Sequence, residues 1–462
     1  MEFPLIINCQ FKNHNTLLLL FMTKKSDNPL ISNWGLLGIG GFQSTRRART
    51  LQLGGCVRDF NDLAVPGMGG VSFGKQLYLS AMGVAVAEQA RKKGFQVSPI
   101  EVANAIEALG CRLSYEKSGW KQSNRLLGIT KLRNVTDLSF DNLRKRSTYV
   151  TQPMRMPTVQ ALPAIGLAES DWQRFNRFQL SQIGESLIEQ YCNEFGLVYH
   201  SQNVKEYLTT WVIKKGSQIS QSENLYKAIS PLIKLSSKSK NEIRNLILNN
   251  GDEKHTIRRK AIFNWAETLA KQENLKSNWQ SKPVALSNDH WLDLKSGAYF
   301  FATRNAALKL LDQIEIVIAR SKEKKISLSE ANKEFTKGSL NIIKRDLLAS
   351  ATRFLQLDCD SSENKEATRF CNECLANNDT IRRLIERDGV GLQLSGENII
   401  RGYAFKGEPH RTANDLDNDV YDSDNENVLD EAGGIDKNEV DLFPENISFR
   451  VYRMNLLYND LK

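Results

Sequence analysis

KQLYLSAMGVAVAEQARKKGFQVSPIEVANAIEAL, residues 75–109, holds two helices and the turn that joins them. Leu77, Leu79, Met82, Val84, Val86 and Ala90 crowd a run that no proline interrupts, and Arg91, Lys92 and Lys93 close it where cations suit a helix dipole. Gly94 follows as a stop, so the spacing predicts a helix over 75–93. Ser98-Pro99-Ile100-Glu101 is a capping box with proline at its favoured first helical position, opening a second helix that reaches about Leu109 and closes at Gly110. Two helices joined so tightly form a helix-turn-helix-like unit, and the chain reads as mainly α around it.

Just before this unit, Gly69-Gly70-Val71-Ser72-Phe73-Gly74-Lys75-Gln76 satisfies G-x-x-x-x-G-K and runs straight into the helix, where backbone amides and a lysine suit a phosphate. Gln76 replaces the Ser or Thr whose hydroxyl would hold magnesium, and 59–67, with Pro66 and several polar residues, is no hydrophobic strand. A structural turn or a contact with a nucleic-acid backbone therefore precedes a nucleotide site in order of preference. Further upstream, 34–74 is glycine-rich and carries Arg46, Arg47, Arg49 and Arg58, which suits irregular backbone with exposed guanidinium groups. Residues 1–33 form an N-terminal extension, in which Met22 followed by Thr-Lys-Lys-Ser looks like a second start and Leu17 to Met22 is far too short to span a membrane.

Downstream, short helices are expected at 137–146 and 156–165. The polar turn Arg177-Phe178-Gln179-Leu180-Ser181-Gln182-Ile183-Gly184 then leads into a helix over 185–194. This succession resembles the end of a winged-helix domain, in which a recognition helix passes into a short hairpin and a phrase of the form FxLSxxGxxLIE starts the last helix. From about 203 the pattern is helical, with loops at 217–224 and 236–241 and helical spacing over 254–272, 290–322, 328–355 and 364–376. Asp252, Asn288 and Ser327 are available as caps, and Phe300, Ala307, Leu311, Ile314 and Ile318 mark the centre of a bundle. β-like phrases come at 391–405 and 447–457, on either side of an acidic insert at about 411–441. The expected fold is a basic, winged-helix-like domain at 34–200, a helical domain at 201–390 and a small β region at 391–462.

Three further constellations have bland readings. Cys359, Cys371 and Cys374 have part of a zinc spacing but no fourth ligand nearby, and thiols three apart in a helix commonly pack into a core. Asp415, Asp417, Asp419 and Glu426 match calcium-loop positions, yet Val420 stands where the loop needs glycine, so a solvated acidic segment is the expectation. The five histidines, at 14, 200, 255, 290 and 410, suggest no nucleophile constellation. No cofactor and no metal is expected.

Composition narrows the partner class. Lys and Arg number 62 against 53 Asp and Glu, a net +9, which favours a polyanion. The surplus is local: residues 22–168 hold 20 Lys/Arg and 9 Asp/Glu, whereas 411–462 hold 5 and 13. Seven sparse cysteines fit a reducing compartment, and the cytoplasm is the expected location. Arg46, Arg47, Arg49, Lys75, Arg91, Lys92, Lys93, Arg144, Lys145, Arg146 and Arg155 recur in loops and at helix ends and are the candidate nucleic-acid contacts, with Trp120 and Tyr149 among them to stack on bases or pack. The functional expectation is a nucleic-acid-binding, non-catalytic subunit of a multi-protein bacterial assembly, with double-stranded DNA and other protein subunits as partners and no membrane. The chain looks like the accessory proteins of bacterial antiviral defence or DNA-processing systems. A protein-interaction scaffold is one alternative, and a divergent P-loop NTPase or a nuclease is another.

Overall fold

Leu77 to Ala87 include no charged residue, so the helix they belong to has no charged face to offer water there, and all of them are buried. The computed structural model describes residues 49–170, 174–271, 277–338, 340–357, 365–402, 405 and 442–462, and all structural statements concern those residues. Arg46, Arg47, Cys359 and the acidic insert with its calcium-like spacing lie outside them.

After α1 (Gly54–Ala64), that buried helix, α2 (Gly74–Lys92), folds back through a short turn onto α3 (Pro99–Lys117). Gly83 lets the two backbones meet, because a Cβ there would stand 2.5 Å from the Ala103 Cβ. The chain continues through α4 (Ile129–Arg133), α5 (Phe140–Leu143), α6 (Thr158–Ala164), an antiparallel pair β1 (Ala168–Glu169) and β2 (Gln179–Leu180), α7 (Gln182–Glu194), α8 (Val204–Ile213) and α9 (Glu223–Ile229). Of these, α6, α7 and α8 pack on α2, while α4, α5 and α9 pack on α3. Next come α10 (Ser237–Asn249), α11 (Glu253–Lys271) and the long α12 (Asn288–Arg320). β3 (Lys325–Ser327), α13 (Leu328–Lys337), α14 (Asn341–Leu355), α15 (Lys365–Cys374), α16 (Thr380–Asp388), β4 (Leu392–Ser395) and β5 (Asn398–Arg401) follow, and α17 (Phe449–Leu461) comes last. The three later strands form an antiparallel sheet in the order β3-β5-β4, with Ile326 opposite Ile399 and Leu394 opposite Ile399 on the other side.

Two hydrophobic cores result. The first gathers α2 to α11, Leu294 of α12, and α17. The second gathers Leu51 to Phe60, α12 from Phe300 to Ile318, α13 to α16 and the sheet. α1 serves both: Phe60 lies 4.9 Å from Phe300 in the second core, and Ala64 belongs to the first. α17 is pinned to the start of the chain by Ser448, whose hydroxyl bonds Asn61 at 2.7 Å, and by Arg450, which pairs with Asp62.

Local signals held where they rested on capping. Ser98 and Glu101 form the expected box, Ser327 caps α13 as expected and forms a box with Glu330, and the Asp252 carboxylate accepts the His255 N–H. Ser287, rather than Asn288, caps α12. Four expectations fail for identifiable reasons. α3 does not close at Gly110: a Cβ there would come within 2.2 Å of the Ile229 carbonyl, so this glycine is a packing point inside a helix that runs to Lys117. The β-like phrase at 447–457 is α17, whose Val451, Met454, Leu457 and Leu461 bury against the first core. The span 328–355 divides into α13 and α14 around Gly338. Most of 236–241 enters α10, capped by Ser236, and 223–224 open α9, capped by Ser222. Among the described residues, no helix is long and apolar enough to cross a membrane.

Candidate nucleic-acid interface

The glycine-rich loop before α2 is already filled by the protein's own groups. The Gly74 N–H, where a bound phosphate would sit, donates to the Asp460 carboxylate at 2.9 Å, and Arg125 pairs with the same carboxylate. The Gln76 amide oxygen accepts from the Ser72 N–H at 2.8 Å and the Phe73 N–H at 3.2 Å. Lys75 points inward with 1% of its surface exposed and donates to the Tyr191 hydroxyl at 2.5 Å and the Lys227 carbonyl at 3.1 Å. Burial pushes this ammonium down to about pKa 7, against the opposing pull of Glu194 and Asp460. As folded, Lys75 cannot reach a phosphate outside, which removes it from the contact set and leaves the loop a structural turn.

Two other expected contacts are also internal. Arg49 is pinned by Asp312, Glu315 and Asp388. Arg155 is buried with its Nε on Asn104 at 2.8 Å and its guanidinium over Phe175. Desolvation lowers its pKa to about 10 even though Glu107 stands close. Glu107, wholly buried, accepts the Tyr149 hydroxyl at 2.7 Å and the backbone N–H groups of Met154 and Arg155, so Tyr149 is a core group and no base platform. Desolvation raises the Glu107 carboxyl pKa.

The remaining basic residues converge on the turn between α2 and α3. Lys92 and Lys93 end α2 and are exposed. Arg144, just past α5, bonds Glu101 in the first turn of α3 at 2.9 Å and Asp141 at 3.1 Å, so it fastens α5 there and brings exposed Lys145 and Arg146 with it. Arg146 is close enough to Arg155 to disfavour its charge. Residues 174–177, just before β2, arrive beside them, because the Asn176 side chain accepts the Ile100 N–H at 3.2 Å, and Arg174 and Arg177 are exposed. The end of α8 completes the rim: the Lys215 carbonyl accepts the Asp141 N–H at 3.2 Å, its ammonium lies 4.7 Å from the Phe95 ring centroid, and Lys214 is exposed next to it. Arg91, half-buried, borders the same end.

The sequence anticipated Arg91, Lys92, Lys93 and 144–146 of this rim and missed Arg174, Arg177, Lys214 and Lys215. The paired Lys214-Lys215 at a helix end was the available signal, but nothing in sequence joins it to Lys92 and Lys93, more than a hundred positions earlier, or to 144–146. Two features set the chemistry of the rim. Cations stand at the ends of α2, α5 and α8, where they suit the helix dipoles; Glu101, Asp137 and Asp141 are engaged by Arg144, Ser98, Ser139 and Gln218, and Glu88, beside Arg91 and Lys92, accepts the Leu180 N–H at 2.8 Å. Neither α2 nor α3 has a free face for a DNA groove, since both are buried along most of their length. The thiols of Cys371 and Cys374 are buried too, with pKa raised by desolvation, to about 12 for Cys371. Buried His290 bonds the Ala64 carbonyl at 2.9 Å and is held neutral, its pKa lowered to about 4 by desolvation.

No protein-family model, curated protein or solved structure matches the chain.

Proposed function

We propose that this protein is a non-catalytic nucleic-acid-binding subunit that grips the phosphates of double-stranded DNA with the rim around the α2–α3 turn. The observation that carries the reading is convergence. Lys92 and Lys93, Lys145 and Arg146, Arg174 and Arg177, and Lys214 and Lys215 come from four separate stretches and reach one end of the α2–α3 pair. Phosphate contacts of this type give affinity without sequence readout. Arg174 and Arg177, just before β2, take the part of a wing's basic contacts, while buried α3 takes no part as a recognition helix. The surface over the second core, which carries none of the rim, is left for protein subunits of a cytoplasmic assembly in bacterial defence or DNA processing.

The test is titration of labelled duplex DNA at several salt concentrations. Affinity should fall steeply with salt, with each phosphate contact adding roughly 0.9 to the log–log slope. Replacing Lys92 and Lys93 by Glu, or Lys145 and Arg146 by Glu, should weaken binding at least tenfold and flatten that slope. Lys75→Ala, by contrast, should act through stability alone. Duplex affinity indifferent to both rim pairs would discard the proposal.

A further inference from the structure

The other end of α3 carries a second aromatic and cationic feature. The helix closes with the Gly119 N–H on the Glu116 carbonyl at 3.3 Å and the Trp120 N–H on the Tyr115 carbonyl at 2.8 Å, the double bond of a Schellman end. Such ends often bring an apolar contact, and here the Tyr115 and Trp120 rings stack with centroids 5.5 Å apart and planes 4° from parallel. Three observations go beyond helix closure. Trp120 itself has φ +60°, directly after Gly119 at +65°, a left-handed conformation that costs a side-chain-bearing residue about 1–2 kcal/mol and that the closing bonds do not demand. Two guanidinium groups lie over the indole, Arg112 at 4.8 Å and Arg133 at 5.4 Å from its centroid. They differ in freedom: Arg112 is anchored by Glu116 and the Val135 carbonyl, whereas Arg133 is exposed on α4. Lys121, the next residue, is exposed as well.

A half-buried indole held in a strained pose, with the exposed Arg133 guanidinium over it and an exposed lysine next in the chain, has the parts that take up an unpaired base and its phosphate. We propose that Trp120, Arg133 and Lys121 form a stacking site for an unpaired base of single-stranded nucleic acid, with Arg133 moving from the indole to the base or its phosphate. The site lies about 27 Å from the rim, the length of α3 at 1.5 Å per residue. It shares with the rim only the class of ligand and stands on different residues.

The experiment measures binding of a short fluorescent oligothymidine and, separately, of a duplex to the full chain. Stacking on one aromatic accounts for roughly 1–3 kcal/mol per base, so Trp120→Leu should weaken oligothymidine binding about tenfold and leave duplex affinity within twofold. Trp120→Phe should retain most of the single-strand affinity, and Arg133→Glu should lose it with an unchanged melting temperature, which covers the case in which Trp120→Leu does not fold. Oligothymidine affinity unchanged in Arg133→Glu, or in a folded Trp120→Leu, would overturn the site, as would thymidine monophosphate binding as tightly as the strand. Failure of the rim reading is a separate result, since it appears as duplex binding insensitive to the Lys92 and Lys93 changes while the single-strand measurement stands.

Discussion

An ammonium that is 1% exposed and donates to one phenol oxygen and one carbonyl, as that of Lys75 does, holds its proton against a large desolvation cost. Its pKa falls from 10.5 to about 7, so between those values the unfolded chain binds a proton that the folded chain has released. Stability therefore rises with pH across that window, by up to about 1.4 kcal/mol per unit, and the full penalty applies below it. Lys75→Met removes the titration. Urea denaturation of both proteins near pH 6 and near pH 9 should show the variant gaining most on the parent at the lower pH, with the gap shrinking at the higher. A gap independent of pH would mean that Lys75 keeps its proton throughout. Asp460 belongs to the same picture: by occupying the amide at the start of α2 it converts a phosphate-cradle sequence into a joint between α2 and α17. Nothing local to Gly69–Lys75 reveals a carboxylate that arrives from residue 460.

α3 shows how a glycine can mislead. Gly110 stands in mid-helix with the Ile229 backbone against it, so Gly110→Ala, which helix propensity alone would favour by up to about 1 kcal/mol, should lower the melting temperature because its Cβ meets the Ile229 carbonyl. A rise in melting temperature would show that α9 can retreat. Features that depend on a few neighbouring residues were legible: the Ser98 box, the Ser327 cap, the Gly94 stop after α2, and the β character within 391–405. α17 was not legible, since Val451, Tyr452 and Tyr458 have the composition of a strand and packing on α11 and α10 decides in favour of helix. The rim was half legible for the same reason. Lys92, Lys93 and 144–146 are dense in sequence, whereas Arg174, Arg177, Lys214 and Lys215 become neighbours of them only through Asn176, Asp141 and Phe95.

At the scale of the molecule, α12 passes from one core to the other between Leu294 and Phe300 without a break. A continuous helix shared this way should couple the two cores. Leu294→Ala and Leu310→Ala, on either side of the crossing, should each shift one common calorimetric transition by a loss of about 2–5 kcal/mol. Two transitions, each answering to one substitution, would show that the cores melt apart. The interleaving also orders events during synthesis. Leu51 to Phe60 leave the ribosome early, yet their partners from Phe300 onward emerge some 240 residues later, and the first core waits for α17 at 449–461. At roughly 5–20 residues per second, the apolar face of α1 stays uncovered for on the order of ten seconds or more on every nascent chain. Arrested chains ending before residue 300 should therefore be bound by chaperones at α1, and neither core should reach its native protease resistance until translation has passed α17.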